Sequence, residues 1–90
     1  MNPTIKKAIA AKVLHWLRHG GLKYEHNGII SGAAIFNHCI FKLNGKPRRL
    51  RREEVIKIVS RLLKEGQIEV IKGKGVVADS TSLSDQDLGL

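Results

Sequence analysis

Residues 44–78 read NGKPRRLRREEVIKIVSRLLKEGQIEVIKGKGVVA, and the rest of the chain is organised around them. Five cations, Lys46, Arg48, Arg49, Arg51 and Arg52, fall within seven residues, directly before Glu53, Glu54 and the apolar run that opens at Val55. At about 100° per residue, Val55, Ile56, Ile58, Val59, Leu62 and Leu63 share one face, while Glu53, Lys57, Ser60, Arg61 and Lys64 lie opposite. The spacing predicts an amphipathic helix with one buried and one solvated side. Gly66 follows the last periodic residue, where glycine enters the left-handed region without a Cβ penalty, and Lys64 in the last turn suits the helix dipole.

Beyond the helix, Gln67–Ile71 and Val76–Ala78 are β-rich and are separated by Lys72, Gly73, Lys74 and Gly75, which predicts a hairpin. With Gly73 and Lys74 as the two turn residues, Val70 faces Val77 and Ile71 faces Val76. Alternation then puts Ile68, Val70 and Val77 on the core side and the two lysines at the exposed tip.

A helix behind a basic cluster, then a glycine, then a short hairpin with a cationic tip is the order of elements in a winged helix-turn-helix domain. The segment EEVIKIVSRLLKEGQIEVIKGKGVVAD, residues 53–79, resembles the recognition helix and wing of that superfamily. Within it LLKEGQIEV is similar to the superfamily's recurrent pattern of leucine, charged residues, glycine and an apolar strand. The resemblance implies an α+β winged helix, with a three-helix core, a C-terminal β-hairpin wing and a short strand before the second helix that pairs with the hairpin. It also implies a DNA-binding protein that sets the Val55–Lys64 helix in the major groove, with Lys57, Ser60 and Arg61 nearest the groove. Lys72 and Lys74 would then meet adjacent backbone or the minor groove.

Upstream, Asn2 suits an N-cap and Pro3 the first helical position, so a first helix is expected from Pro3 to His19, closed by Gly20-Gly21. Ile5, Ile9, Val13, Trp16 and Leu17 form its apolar stripe, and Leu14 falls on the far side. Leu22–Gly28 reads as a loop and Ile29-Ile30 as a stub of strand. Ser31 caps a second helix expected from Gly32 to Leu43, with Ile35, Phe36, Cys39, Ile40 and Leu43 on one side and Asn44-Gly45 as its end. A break between Pro47 and Arg51 is expected before the third helix, because continued helical phase would turn Leu50 to solvent.

Ninety residues, 42% of them hydrophobic, make one small domain with an aliphatic core. The domain is expected over residues 1–78, with residues 79–90 as a flexible acidic tail, rich in Ser and Asp and without core periodicity. All sixteen lysines and arginines but only five of the eight acids precede residue 79, a net of +11. That balance favours a polyanionic partner, nucleic acid before an acidic membrane surface. Lys46, Arg48, Arg49, Arg51 and Arg52 can neutralise phosphates, and a guanidinium fork that reaches a guanine edge also reads sequence. A solvated charge run or a nuclear-localisation-like patch is the competing reading of the same cluster.

Catalytic and metal chemistry find little in the chain. His15 and His19 stand i, i+4 without a third and fourth ligand, and the neighbours His38 and Cys39 diverge on a helix. Gly73-Lys74-Gly75 follows a strand without opening a helix, so it is no phosphate-cradling loop, and Glu53 and Glu54 point apart. No enzyme, cofactor or metal is expected. One cysteine and the lack of an apolar run near the ~20 residues of a membrane span point to a cytosolic protein without a membrane partner. Double-stranded DNA is the first partner, an RNA-binding or protein-interacting winged helix the alternative, and a homodimer through Leu14, Phe41 and Ile71 a further option.

Overall fold

A computed structural model describes residues 3–78. In chain order these form α1 (Pro3–Arg18), a 3-10 helix (Gly20–Tyr24), β1 (Ile29–Ile30), α2 (Gly32–His38), β2 (Ile40–Leu43), β3 (Lys46–Arg49), α3 (Arg52–Lys64), β4 (Val70–Ile71) and β5 (Gly75–Val77). The class is α+β, with three α-helices and two small antiparallel sheets, one of order β1-β5-β4 and one of β2-β3, among the described residues. The tail expected over residues 79–90 lies outside the described residues.

The first helix buries Ile9, Val13 and Leu17, one turn apart, together with Ala10. Leu14, off the expected stripe, is half-buried and packs on the core from its edge, whereas Ile5 is exposed. Trp16 folds back over the glycines that end the helix. A Cβ on Gly21 would meet the indole at 2.8 Å, so glycine there is a packing requirement. The expected loop after it begins as the 3-10 helix and ends in a tight turn. His26 and Ile29 exchange backbone hydrogen bonds across Asn27 and Gly28, both at positive φ.

As expected, the Ser31 hydroxyl caps α2 by accepting from the Ala34 N–H at 3.1 Å. The helix, however, stops at His38 and not at Leu43. From Ile40 the chain alternates: Ile40 and Lys42 are exposed, Phe41 is buried and Leu43 half-buried. Ile40 therefore belongs to a strand's outer face and not to the second helix's core side. Asn44 and Gly45, at φ 54° and 79°, turn this strand into β3, pairing Ile40 with Arg49 and Leu43 with Lys46. Two successive left-handed residues suit the right-handed twist of a two-residue hairpin, and Asn-Gly is the pair that adopts them most readily. A hairpin thus stands where a helix end and a turn were expected.

The third helix opens one residue after Arg51, which is extended, and this break lets Leu50 turn inward to a buried position. Val55 and Leu62 are buried and Ile58 and Val59 half-buried, so the expected phase holds along the middle of the apolar face. Its flank differs, because Ile56 and Leu63 are exposed. Gly66, at φ 74°, closes the helix, and the Gln67 N–H donates back to the Leu62 carbonyl at 2.9 Å.

The last hairpin is shifted by one residue from the expected register. Lys72, Gly73 and Lys74 form a three-residue loop in which Lys74 N–H donates to Ile71 O at 2.9 Å and Gly73 takes φ 80°, a type II turn. Val70 therefore pairs with Val76 and Ile71 with Gly75. Val76 is the fully buried partner, while Val77 and Val70 are only half-buried. The first strand pairs with β5, Ile29 to Val77 and Ile30 to Val76, as the short strand was expected to do. Gly75, at φ 145°, makes this pairing possible, since a Cβ there would collide with the Ile30 carbonyl and approach Ser31 Cα to 2.8 Å.

One core results, in which Ile9, Val13, Leu17, Ile30, Ile35, Cys39, Leu62 and Val76 are the most completely buried side chains. Each large aliphatic among them contributes roughly 1.5–3 kcal/mol by leaving water. Of the three residues considered for a dimer contact, Phe41 is buried and Leu14 half-buried, which leaves only Ile71 exposed.

Candidate nucleic-acid interface

The basic cluster divides by partner. Arg48, on β3, points inward and donates from Nη2 to Glu54 Oε2 at 2.6 Å, with its side chain only 25% exposed. Glu54, in the first turn of α3, is buried and also accepts from the Arg51 backbone N–H at 3.0 Å, which caps the helix. Burial alone would raise the Glu54 carboxyl. Hydrogen bonds from the Arg48 side chain and the Arg51 backbone, the Arg48 charge and a further bond from the Arg51 side chain outweigh it and hold the carboxyl below its ordinary value. Arg48 is thus a structural cation, withdrawn from any phosphate.

Arg51 shares in that arrangement, with Nε 3.5 Å from Glu54 and 3.9 Å from Glu53, but its side chain stays largely exposed. Arg49 donates to the carbonyls of Phe36 and Asn37 at 3.3 and 3.5 Å, near the end of α2. Its guanidinium lies 5.9 Å from the Phe36 ring centroid, and that of Arg52 lies 5.5 Å from the same centroid. Phe36 therefore holds two exposed guanidiniums close together, by cation–π attraction. Nothing local signals this, because the partners stand 13 and 16 positions from Phe36.

On α3, Lys57 and Ser60 are exposed as expected, whereas Arg61 is half-buried and pairs with Glu65 at 3.2 Å. Lys57, Arg51 and Arg61 line a groove of about 540 Å³ between α1 and α3, together with Lys6 of α1 and the acids Glu53 and Glu54. Lys6, outside the basic cluster and the hairpin tip, is a cation that sequence reasoning missed. On the other flank, Ser60 lines a second groove of about 440 Å³ with Ile56, Ile71 and the hairpin lysines Lys72 and Lys74. Lys46, exposed at the start of β3, lines neither groove. Among the described residues the ion pairs occupy Arg48, Arg51 and Arg61 and leave Lys57, Lys72 and Lys74 available.

Aromatic rings gather beside His38, the last residue of α2. Tyr24 stacks on the exposed His38 ring at 4.0 Å and 1°, and on Trp16 at 6.0 Å and 20°. His15 and His19 approach to 4.3 Å between centroids, but no group of three metal-ligating side chains forms among the described residues. Nor, among them, is any helix long and apolar enough to cross a membrane. No protein-family model, curated protein or solved structure matches the chain, so its reading rests on these residues and their geometry.

Proposed function

We propose that the chain is a small winged-helix protein that binds double-stranded DNA, with α3 toward the major groove and the β4–β5 hairpin on the adjacent backbone. The observation that carries this reading is the placement of available cations on both flanks of one exposed helix face. Ser60 shares one groove with Lys72 and Lys74, and Lys57 shares the other with Lys6. Arg49 and Arg52, held on Phe36, extend the positive surface past the start of the helix. The order of helices and strands, with β1 paired to the last hairpin, is in keeping with such a domain. The β2–β3 hairpin is an insertion relative to a short helix-to-helix turn, and it presents Lys42 and Lys46 as exposed cations. Acting through occupancy of DNA, the protein would serve as an accessory of transcription or replication.

Fluorescence anisotropy over a salt series, with random duplex DNA and a folded RNA as probes, tests the proposal. About five phosphate contacts give a slope of log affinity on log salt of roughly −4 to −5 on duplex DNA. Such a slope with duplex preference is the expected result, and absence of binding to either probe would overturn it. The exposed His38 ring stacked on Tyr24 favours RNA as a second reading, since unpaired bases stack on ring faces. Preference for the folded RNA would select that reading.

A further inference from the structure

The groove between α3 and the β4–β5 hairpin has an aliphatic floor that phosphate contacts at its lysines leave uncovered. Its floor is aliphatic, with Ile56 68% exposed and Ile71 43% exposed beside Val59 and Val70. Its charges are the cations Lys72 and Lys74, and no carboxylate among the described residues lines it. A fitting occupant therefore carries aliphatic side chains to cover the isoleucines and acids to meet the lysines. We infer that this groove is the docking site of the chain's own segment 79–90.

Three observations single out that segment. Its sequence, DSTSLSDQDLGL, contains Asp79, Asp85 and Asp87 with no cation, interleaved with Leu83, Leu88 and Leu90. Its point of departure is fixed: Ala78 is buried and its N–H donates to the Gly28 carbonyl at 2.8 Å, directly after β5, whose first residues line the groove. Its reach is sufficient, because twelve residues span up to about 40 Å, and the described molecule measures 32 Å along its longest axis. A tether of this length holds a weakly binding segment at millimolar effective concentration, so modest contacts suffice. The inference does not rest on the DNA reading, since it concerns the free protein.

Thiol cross-linking in the full chain provides the test. Cys39 is fully buried, and burial pushes its thiol up to about 12, so it stays silent at neutral pH. Ser60→Cys in the groove is paired with Ser84→Cys in the segment, and the exposed Lys7→Cys on α1 with Ser84→Cys serves as the comparator. Under mild oxidation of dilute protein the Ser60 pair should close within one chain about tenfold faster than the Lys7 pair. Adding Asp85→Asn and Asp87→Asn, or Ile71→Ser in the groove, should erase most of that advantage. Equal closure rates for the two pairs would overturn the inference. So would disulfides formed only between chains, which would give the groove to a second copy.

Discussion

Arg48 and Glu54 meet at 2.6 Å where β3 passes the first turn of α3, and the same carboxylate caps that helix through the Arg51 N–H at 3.0 Å. One acid thus joins the β2–β3 hairpin to the helix. Removing either partner strands the other in a mostly covered site, so Arg48→Ala and Glu54→Ala should each cost about 3 kcal/mol, at the low end for breaking a buried pair. Urea unfolding measures this. A loss under about 0.5 kcal/mol, the level of an exposed pair, would mean that the bridge is solvated in solution.

The same carboxylate gives a pH dependence of known sign. Because the folded-state pKa of Glu54 lies below the ordinary 4.5, its stabilisation is complete above that value and is lost as pH falls through the folded pKa. Glu54→Gln should therefore be less stable than the parent at neutral pH, and the difference should shrink as pH falls below the ordinary 4.5. A gap that stays constant down to pH 3 would show that the charge contributes nothing.

Gly75 sits against β1 so closely that a side chain has no room, and its φ of 145° is strained for any other residue. Gly75→Ala should cost at least about 2 kcal/mol, through backbone strain and displacement of the Ile30–Ser31 segment. Gly45 also has positive φ but opens to solvent, so Gly45→Ala should cost only about 1 kcal/mol. The order of the two thermal midpoints checks the β1–β5 contact.

Much of the architecture was legible from local patterns, and the misses share a physical origin. The 3.6-residue period located α3, Ser31 and Gly66 marked helix ends, and two isoleucines after a glycine marked β1. The β2–β3 hairpin was missed because Ile35, Phe36, Cys39, Ile40 and Leu43 also satisfy a helical stripe. Period alone does not separate the two over so short a run, and the Asn44-Gly45 pair was the deciding signal. The register of the last hairpin turned on whether Lys72 belonged to the loop, which Gly73 decides by taking the third position of a type II turn. At the site, charge revealed which residues are cationic but not which are spent. Arg48 is consumed by Glu54 and Arg61 by Glu65, whereas Lys6 arrives from a helix distant in sequence.

Adjacent leucines separate the two sides of α3. Leu62 is 2% exposed and Leu63 46% exposed. Leu62→Ala should cost about 2–5 kcal/mol by opening a cavity in the core, and Leu63→Ala should stay within about 0.5 kcal/mol of the parent. Equal losses at both positions would place Leu63 in a covered interface in solution.

The division of the cations predicts a pattern in binding that charge alone does not. Lys57, Lys72 and Lys74 make no ion pair among the described residues and flank the exposed face of α3 from both sides. If they meet phosphates, each change to Ala should lessen the salt slope on duplex DNA by about 0.9, with the thermal midpoint unchanged. Arg48→Ala removes an equal charge from the cluster but one already neutralised by Glu54. It should therefore lower stability while leaving the slope of the folded protein within about 0.3 of the parent. A slope that falls equally for Arg48 and for the three lysines would mean that DNA senses only net charge, and would sink the proposed orientation of α3 and the hairpin. A fall confined to the lysines would set both flanks of the helix against the phosphate backbone at once, as docking of α3 between them requires.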